Sequence, residues 1–473
     1  MEKIKLVSHL GILRISQSIP ELNQALTYKL TYMKDIGTVS FMDKKTGKQK
    51  TVSRKGPIKT KTEKLYNESE GQIFTHDGML SKIAKKIHTL GLEFDYERLD
   101  PQWPVPLINA SVVKGLYPEQ RECVIKMLSS VGGCLVQAAT SAGKTRIIAS
   151  LILAYPNSNI VVMTHRQSVV RGLISNLTSL LADKGIEIGI CQGVNTSIKK
   201  VTVSTIGSAH KLDKDKVDIL IGDEFHRFAG EQASSMWLSF NKAVKYGLSA
   251  TITERFDGKF NYFESLCGPL VFELTDQELQ DAGRVPPLDV FFVAVPEGPP
   301  IDHFIDSVKR KKIGIWKNSI RNQMIKEIVD CAPADQQLMI FCETVQHLEE
   351  LRKLMPDMEV CHAQLGTNER KEIEQRFVSG EAKRILSTDV LSEGVDPRKL
   401  MILIDPSSVK GDSAMVQKRG RLRRPGKEKG ILINFSDDWS TSLSSKAKKR
   451  IKDHKERGDK VILVNDIKQI TFV

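Results

Sequence analysis

From about residue 132 the chain alternates short β-branched runs with longer stretches of helical periodicity. The runs are GCLVQA (133–138), NIVVMT (159–164), VTVST (201–205), DILIG (218–222) and YGLSA (246–250). Near-continuous apolar runs separated by helical segments predict βαβ units around a buried parallel sheet. The series restarts with QLMIFC (337–342), MEVC (358–361), RILS (384–387), LMILI (400–404) and GILINF (430–435), which predicts a second α/β domain in tandem. Between them, roughly residues 273–300 contain ELQDAGRVPPLDVFFVAVPEGPP and read as a connection from one domain to the next. The two series share architecture and no visible sequence repeat.

Residues 1–105 differ in character. They carry the lysine-rich stretch DKKTGKQKTVSRKGPIKTKTEK (43–64) and end at the proline-broken linker DPQWPVP. A small accessory domain of mixed strands and helices is expected there. Its basic stretch fits either a solvated hairpin and its loop or a DNA contact. A second basic run, KAKKRIKDHKERGDK (446–460), has helical spacing and precedes an apolar strand, VILVNDI; it is open to the same two readings. The expected organisation is therefore α/β throughout: an accessory domain over 1–105, a first parallel-sheet domain over 106–275 and a second over 276–473.

Composition narrows the classes. With 473 residues, 40% hydrophobic and 27% charged, the chain exceeds one compact core and reads as globular. No apolar run approaches the roughly 20 residues of a membrane span. The N-terminus MEKIKLVSHLGILRISQS lacks a secretory apolar region, so a cytoplasmic location is expected. Seven dispersed cysteines with no C-x-x-C spacing argue against a disulfide framework or a zinc site. A formal charge of +13 and a pI near 9.2 point toward a polyanionic partner.

Two segments carry chemistry. Ala138 to Thr145, A-A-T-S-A-G-K-T, follows a predicted strand and opens the helix KTRIIASLILAY, the context a phosphate-binding loop needs. Backbone N–H groups of Ala142 and Gly143 and the positive helix end would cradle phosphates, Lys144 would reach the outer ones, and the Thr145 hydroxyl would ligate magnesium. Ala138 stands where the general motif has Gly. Some eighty residues later D-E-F-H (223–226) follows the strand DILIG, at the carboxyl edge where open α/β sheets bind ligands. Asp223 is placed to hold magnesium beside Thr145, and Glu224 to orient and deprotonate an attacking water.

G-K-T, D-E-x-H, S-A-T (Ser249 to Thr251) and Q-K-R-G-R-L-R-R (Gln417 to Arg424), in this order, resemble superfamily 2 helicases over roughly residues 110–435. The resemblance implies two tandem RecA-like motor domains that hydrolyse ATP with magnesium while moving along nucleic acid. It implies that Gln120 reads adenine with Tyr117 packed near the base, that Ser249 and Thr251 relay hydrolysis to the nucleic-acid surface, and that Gly394, Asp396 and Gln417 line the cleft. Arg421 and Arg424 match the residues that reach the γ-phosphate, a role worth about 10³–10⁵ in rate. The alternative for RGRLRR is a nucleic-acid patch, a role open to Arg419 or Arg423. Arg166, Thr205 and Thr388 match positions along the nucleic-acid track.

A closer similarity is to phage branch-migration helicases of the UvsW type. It rests on G-L-S-A-T-I-T-E-R-F-D-G-K (247–259), E-L-Q-D-A-G-R-V (278–285) and S-V-K-G-D-S-A-M-V-Q-K-R-G-R-L-R-R (408–424). That similarity implies branched or duplex DNA as substrate and a monomeric motor. An RNA helicase shares the same motor. The motor component of a restriction or nuclease system is the other alternative, but the E-x-K fragments Glu369–Lys371 and Glu381–Lys383 fall in a predicted helix and turn rather than on a strand.

Overall fold

The computed structural model describes residues 3–42, 49–100, 102–253, 258–304, 306–388, 397, 399–407, 418–423 and 428–472; over 31–42, 49–58 and at Ser168 it describes backbone alone. The strands of the N-terminal region are β1 (Ile4–His9), β2 (Ile12–Ile15), β3 (Thr27–Met42), β4 (Gln49–Lys64), β5 (Tyr66–Ser69), β6 (Gln72–His76) and β7 (Phe94–Arg98). Those of the first α/β domain are β8 (Gly133–Ala138), β9 (Ile160–Thr164), β10 (Ile188–Gln192), β11 (Asn195–Ser197), β12 (Val201–Thr205), β13 (Ile219–Asp223), β14 (Val244–Ser249) and β15 (Leu270–Leu274). Those of the second are β16 (Leu288–Ala294), β17 (Gln337–Phe341), β18 (Glu359–Cys361), β19 (Arg384–Ser387), β20 (Leu400–Ile404), β21 (Gly430–Ser436) and β22 (Lys460–Val464).

The chain divides into two compact units. One is Met1–Ala138 with Thr145–Glu273; the other is Ala139–Lys144 with Leu274–Val473. In the first unit the accessory sheet has the order β5-β6-β2-β1-β7 among the described residues. It alternates: in β6 Ile73 and Thr75 are buried and their neighbours are not. The helix Leu80–Thr89 lays Ile83 and Ile87, one turn apart, onto Leu6, Leu13, Ile15 and Ile73. Residues 49–64 of the lysine-rich stretch form β4, which pairs with the preceding β3 as an antiparallel ribbon, sixteen residues a strand and about 50 Å long. Lys44, Lys45 and Lys48 fall outside the described residues, and the side chains of Lys50, Arg54 and Lys55 are not described; Lys59 and Lys61 are exposed.

The accessory region packs on the first α/β domain. A Cβ at Gly78 would stand 2.4 Å from the Glu264 carbonyl oxygen, so only glycine admits this approach. Lys82 Nζ donates to Asn261 Oδ1 at 2.8 Å and Glu264 Oε2 at 2.9 Å. Asn261 Nδ2 in turn donates to the Thr27 carbonyl at the ribbon's base, 3.0 Å away.

The first α/β sheet has the order β11-β10-β12-β9-β13-β14-β8-β15 among the described residues, with β10, β12, β9, β13, β14 and β8 parallel. Their carboxyl ends therefore share one edge. Phe225, Phe228, Trp237 and Phe263, all fully buried, stack against this sheet, with ring centroids 4.9–5.8 Å apart. Gly222 and Gly247 make room for them, since a Cβ on either would come within 2.9 Å of the Phe225 ring.

The second unit's sheet is parallel in the order β18-β19-β17-β20-β21-β16-β22. Here the structure corrects the sequence reading. The stretch taken as a connection holds β16, which pairs on both sides and buries Leu288 to Val293. Prolines at 286, 287, 296, 299 and 300 bound a buried strand, and the flanks masked it. The 446–460 run lies mostly on the helix Thr441–Glu456, which buries Leu443, Ala447, Arg450 and His454 and exposes Lys448, Lys449, Lys452 and Lys455. All seven cysteines are free thiols, six of them buried; burial pushes Cys134 up to about 12. Among the described residues no helix is long and apolar enough to cross a membrane.

Candidate nucleotide site

Residues Ala138–Thr145 leave the carboxyl end of β8 and enter the helix Lys144–Ala154 directly. The turn closes with the Ala142 N–H donating to the Ala139 carbonyl at 2.9 Å. Gly143 has φ +78°, a left-handed conformation that glycine adopts without strain. Ala142 and Lys144 are buried, and Thr145 is half-buried. Lys144 thus opens a helix whose first N–H groups and dipole favour an anion. Arg146, on the first turn, donates to the Gly115 carbonyl at 2.9 Å. That contact ties the first turn of this helix to the segment of Tyr117 and Gln120. Tyr117 caps the helix Pro118–Leu128 and is 43% exposed. Gln120 is buried, and its Oε1 accepts from the Tyr117 N–H at 3.1 Å, which fixes the amide's orientation.

Asp223 ends β13, which lies two strands from β8 across β14, about 10 Å along the same edge. Glu224 follows with φ +50° and ψ +50°. A left-handed glutamate is a strained conformation, costing about 1–2 kcal/mol, and such strain concentrates at functional sites. The strain is held by Phe225, locked in the aromatic cluster on the next residue. A chain of polar contacts then leaves Glu224. His226 Nδ1 lies 3.4 Å from Glu224 Oε2 and 2.9 Å from Ser249 Oγ, and Ser249 Oγ accepts from the Thr251 N–H at 3.2 Å. Strand register explains the meeting, because Asp223 pairs with Leu248 and puts Ser249 beside the D-E-F-H turn. The structure therefore brings Glu224, Ser249 and Thr251 together through His226, a link the sequence reading had not assigned to that histidine.

The donor set fits a magnesium nucleotide: a glycine-turned loop at a helix start, one buried lysine, a hydroxyl and a strand-end carboxylate. Thr145 and Asp223 are the oxygen ligands such an ion would take.

The nucleic-acid positions separate. Thr205 is buried, and its hydroxyl donates to Ser208 Oγ at 3.0 Å; Thr388 is buried too. Arg166, at the start of the helix Gln167–Leu180, keeps accessible surface. In the second unit residues 418–422 are helical, and Arg421 is 6% exposed. Arg419 and Arg423, to which a nucleic-acid role was open, are fully buried in ion pairs with Asp459 and Asp276. Those acids lie 40 and 143 residues from Arg419, out of reach of any local motif. Gly394, Asp396, Gln417 and Arg424 lie outside the described residues.

Comparison with known proteins agrees with this geometry. Residues 114–254 match the family described as "Type III restriction enzyme, res subunit", and residues 320–426 match "Helicase conserved C-terminal domain". The chain is a superfamily 2 helicase, an ATP-hydrolysing protein built on two tandem RecA-like domains. Among its relatives is the DNA 3'-5' translocase XPB2 of Sulfurisphaera tokodaii, 25% identical over 377 residues that cover 70% of this chain and 83% of that one. Eukaryotic initiation factor 4A of Dictyostelium discoideum is 27% identical over 135 residues, 28% of this chain and 33% of that one. A fragment of an HsdR subunit of a type I restriction enzyme from Vibrio vulnificus shares the fold, with a TM-score of 0.55 at 18% identity over 90% of this chain and 78% of that one. The crystal structure of T4 UvsW spans 98% of this chain and 99% of that one at 16% identity, with a TM-score of 0.39.

Proposed function

We propose that this helicase is a DNA translocase that remodels branched DNA by fork regression, Holliday-junction migration, or R-loop or D-loop unwinding. The observation that carries the reading is the polar chain from Glu224 through His226 to Ser249 and Thr251. It joins the residue placed to activate water to the end of the neighbouring strand, so a change at the phosphate has a physical route to another part of the sheet edge. The similarity to a DNA translocase over most of both chains supports DNA as the track, and the long basic ribbon supports a duplex contact beside the motor.

In this reading Lys144 neutralises the outer phosphates, Tyr117 packs near the base and Gln120 recognises its edge. Thr145 and Asp223 would hold a magnesium ion, which would supply charge neutralisation at the transferred phosphoryl group. Glu224 orients the attacking water and takes its proton, and Arg421 adds positive charge as the phosphoryl group transfers. Arg166 contacts phosphate without reading sequence. Gly394 and Asp396 contribute to the ribose side, Gln417 to the nucleotide, and Arg424 shares the finger role.

An RNA helicase is the second reading, supported by the initiation-factor relatives, some similar over about a third of their length and one, at 20% identity, over 88% of it. An unwinding panel of forks, four-way junctions, R-loops and blunt duplexes, with matched RNA duplexes, tests the choice. ATP-dependent resolution of branched DNA with RNA duplexes untouched is the expected result. Preferential unwinding of RNA duplexes would transfer the assignment.

A further inference from the structure

The sequence R-G-R-L-R places three arginines at alternate positions, 419, 421 and 423, and the helix separates them by face. Arg419 and Arg423, four residues apart, lie one above the other, while Arg421 lies about 160–200° around the axis. The shared face of the first two is fully buried, and its partners are specific. Arg419 Nε and Nη2 donate to the two carboxylate oxygens of Asp459, each at 2.6 Å, and Nη1 donates to Asp276 Oδ2. Arg423 Nη2 donates to Asp459 Oδ1 at 3.0 Å and to Gln280 Oε1 at 2.9 Å, and its Nη1 to the Asp276 carbonyl at 3.1 Å. His454 Nδ1 completes the ring, 2.6 Å from Asp459 Oδ2.

Three distant pieces of the second unit meet at this carboxylate. They are its opening helix Asp276–Asp281, the arginine helix, and the junction between the helix Thr441–Glu456 and β22. A bidentate guanidinium–carboxylate pair fixes orientation as well as distance, because both groups are planar. With two arginines clamped, rotation of the short helix about its axis is blocked, and so is the direction of the Arg421 side.

We propose that Asp459, with Asp276, is a positioning residue for ATP hydrolysis: it clamps Arg419 and Arg423 so that Arg421, on the opposite face, is presented in one orientation. The proposal rests on the reading of Arg421 as a hydrolysis residue. It assigns the C-terminal helix and β22 a part in catalysis, and it gives Arg419 and Arg423 an internal duty in place of a nucleic-acid one.

The test is a double-mutant cycle on the full chain, read as DNA-stimulated ATP hydrolysis. Asp459→Asn keeps the shape and removes the charge. Its kcat is expected to fall about ten- to a hundredfold, the range for a misplaced catalytic group, with KM for ATP unchanged. In an Arg421→Ala background the same substitution is expected to add no further loss, since the group it positions is gone. An equal loss in both backgrounds would mark Asp459 as a general structural residue and overturn the proposal, as would an unchanged kcat. If Asp459→Asn does not fold, Asp276→Asn serves in the same cycle, because it leaves the Arg419–Asp459 bonds in place. If Arg421→Ala alone hydrolyses normally, the Arg421 reading itself fails, and the proposal falls with it.

Discussion

Replacing Glu224 by glycine is expected to destroy hydrolysis while making the first unit more stable than the alanine variant at the same position. Both substitutions remove the carboxylate, so both lose the 3.4 Å contact to His226, and that loss cancels in the comparison. What differs is the backbone. Glu224 sits at φ +50° and ψ +50°, where an L-residue with a Cβ carries about 1–2 kcal/mol of strain and glycine carries none. Glycine also has the more disordered unfolded chain, which costs about 0.4–1 kcal/mol in the opposite direction. Relief of strain is the larger effect, so Glu224→Gly should exceed Glu224→Ala by about 0.5–1 kcal/mol. Urea unfolding of the two full-length variants measures the difference, and a Tm higher by roughly 1–4 °C should accompany it. Hydrolysis should fall about 10²–10⁴-fold in both, as expected for loss of a general base. A glycine variant less stable than the alanine one would refute a left-handed Glu224. Normal turnover in either would remove Glu224 from the role of base.

Lys245, buried beside Asp77 and Arg98, is held down to about 8 against an ordinary value of 10.5, chiefly because burial penalises its charge. Between pH 8 and 10.5 the unfolded chain therefore binds more protons, and stability should rise with pH by up to about 3 kcal/mol; Lys245→Met should abolish that rise in denaturation curves taken at each pH. Ser249→Ala removes the Oγ that His226 and the Thr251 N–H share, so it should cost about 1 kcal/mol of stability and lower DNA unwound per ATP hydrolysed; unchanged coupling would break the proposed route. Neutralising Lys44, Lys45, Lys48, Lys50, Arg54, Lys55, Lys59 and Lys61 together to Gln should weaken junction binding and flatten the slope of log affinity against log salt by up to about 7. An unchanged slope would make the ribbon a solvated surface. Neutralisation is a cleaner probe than excision, because the accessory region packs on the first α/β domain through Gly78 and Lys82.

The strands of both parallel sheets were legible because burial on two faces leaves nearly continuous apolar runs. NIVVMT, VTVST and DILIG became β9, β12 and β13 with ends displaced by a residue or less. β16 was hidden for the opposite reason. Its run is equally apolar, but prolines on both sides resemble a linker, and only pairing with β21 and β22 identifies a strand. β10 was missed because IGICQ is short and has a glycine and a polar end. The phosphate loop and D-E-F-H were legible from strand, motif and helix in succession. The motif set Arg421 apart from Arg419 and Arg423, but the burial of those two in ion pairs was not legible, since Asp276 and Asp459 arrive from remote sequence. Thr205 shows the same limit, for its commitment to Ser208 depends on the local turn that follows β12.

The measurement that bears most directly on the central claim is steady-state ATP hydrolysis by the full chain, with and without branched DNA, beside Lys144→Ala. The buried Lys144 at the helix start predicts that branched DNA raises the wild-type rate, that Lys144→Ala has no turnover in either condition, and that its DNA affinity survives. Hydrolysis by Lys144→Ala near the wild-type rate, or a wild-type rate indifferent to DNA, would contradict the account.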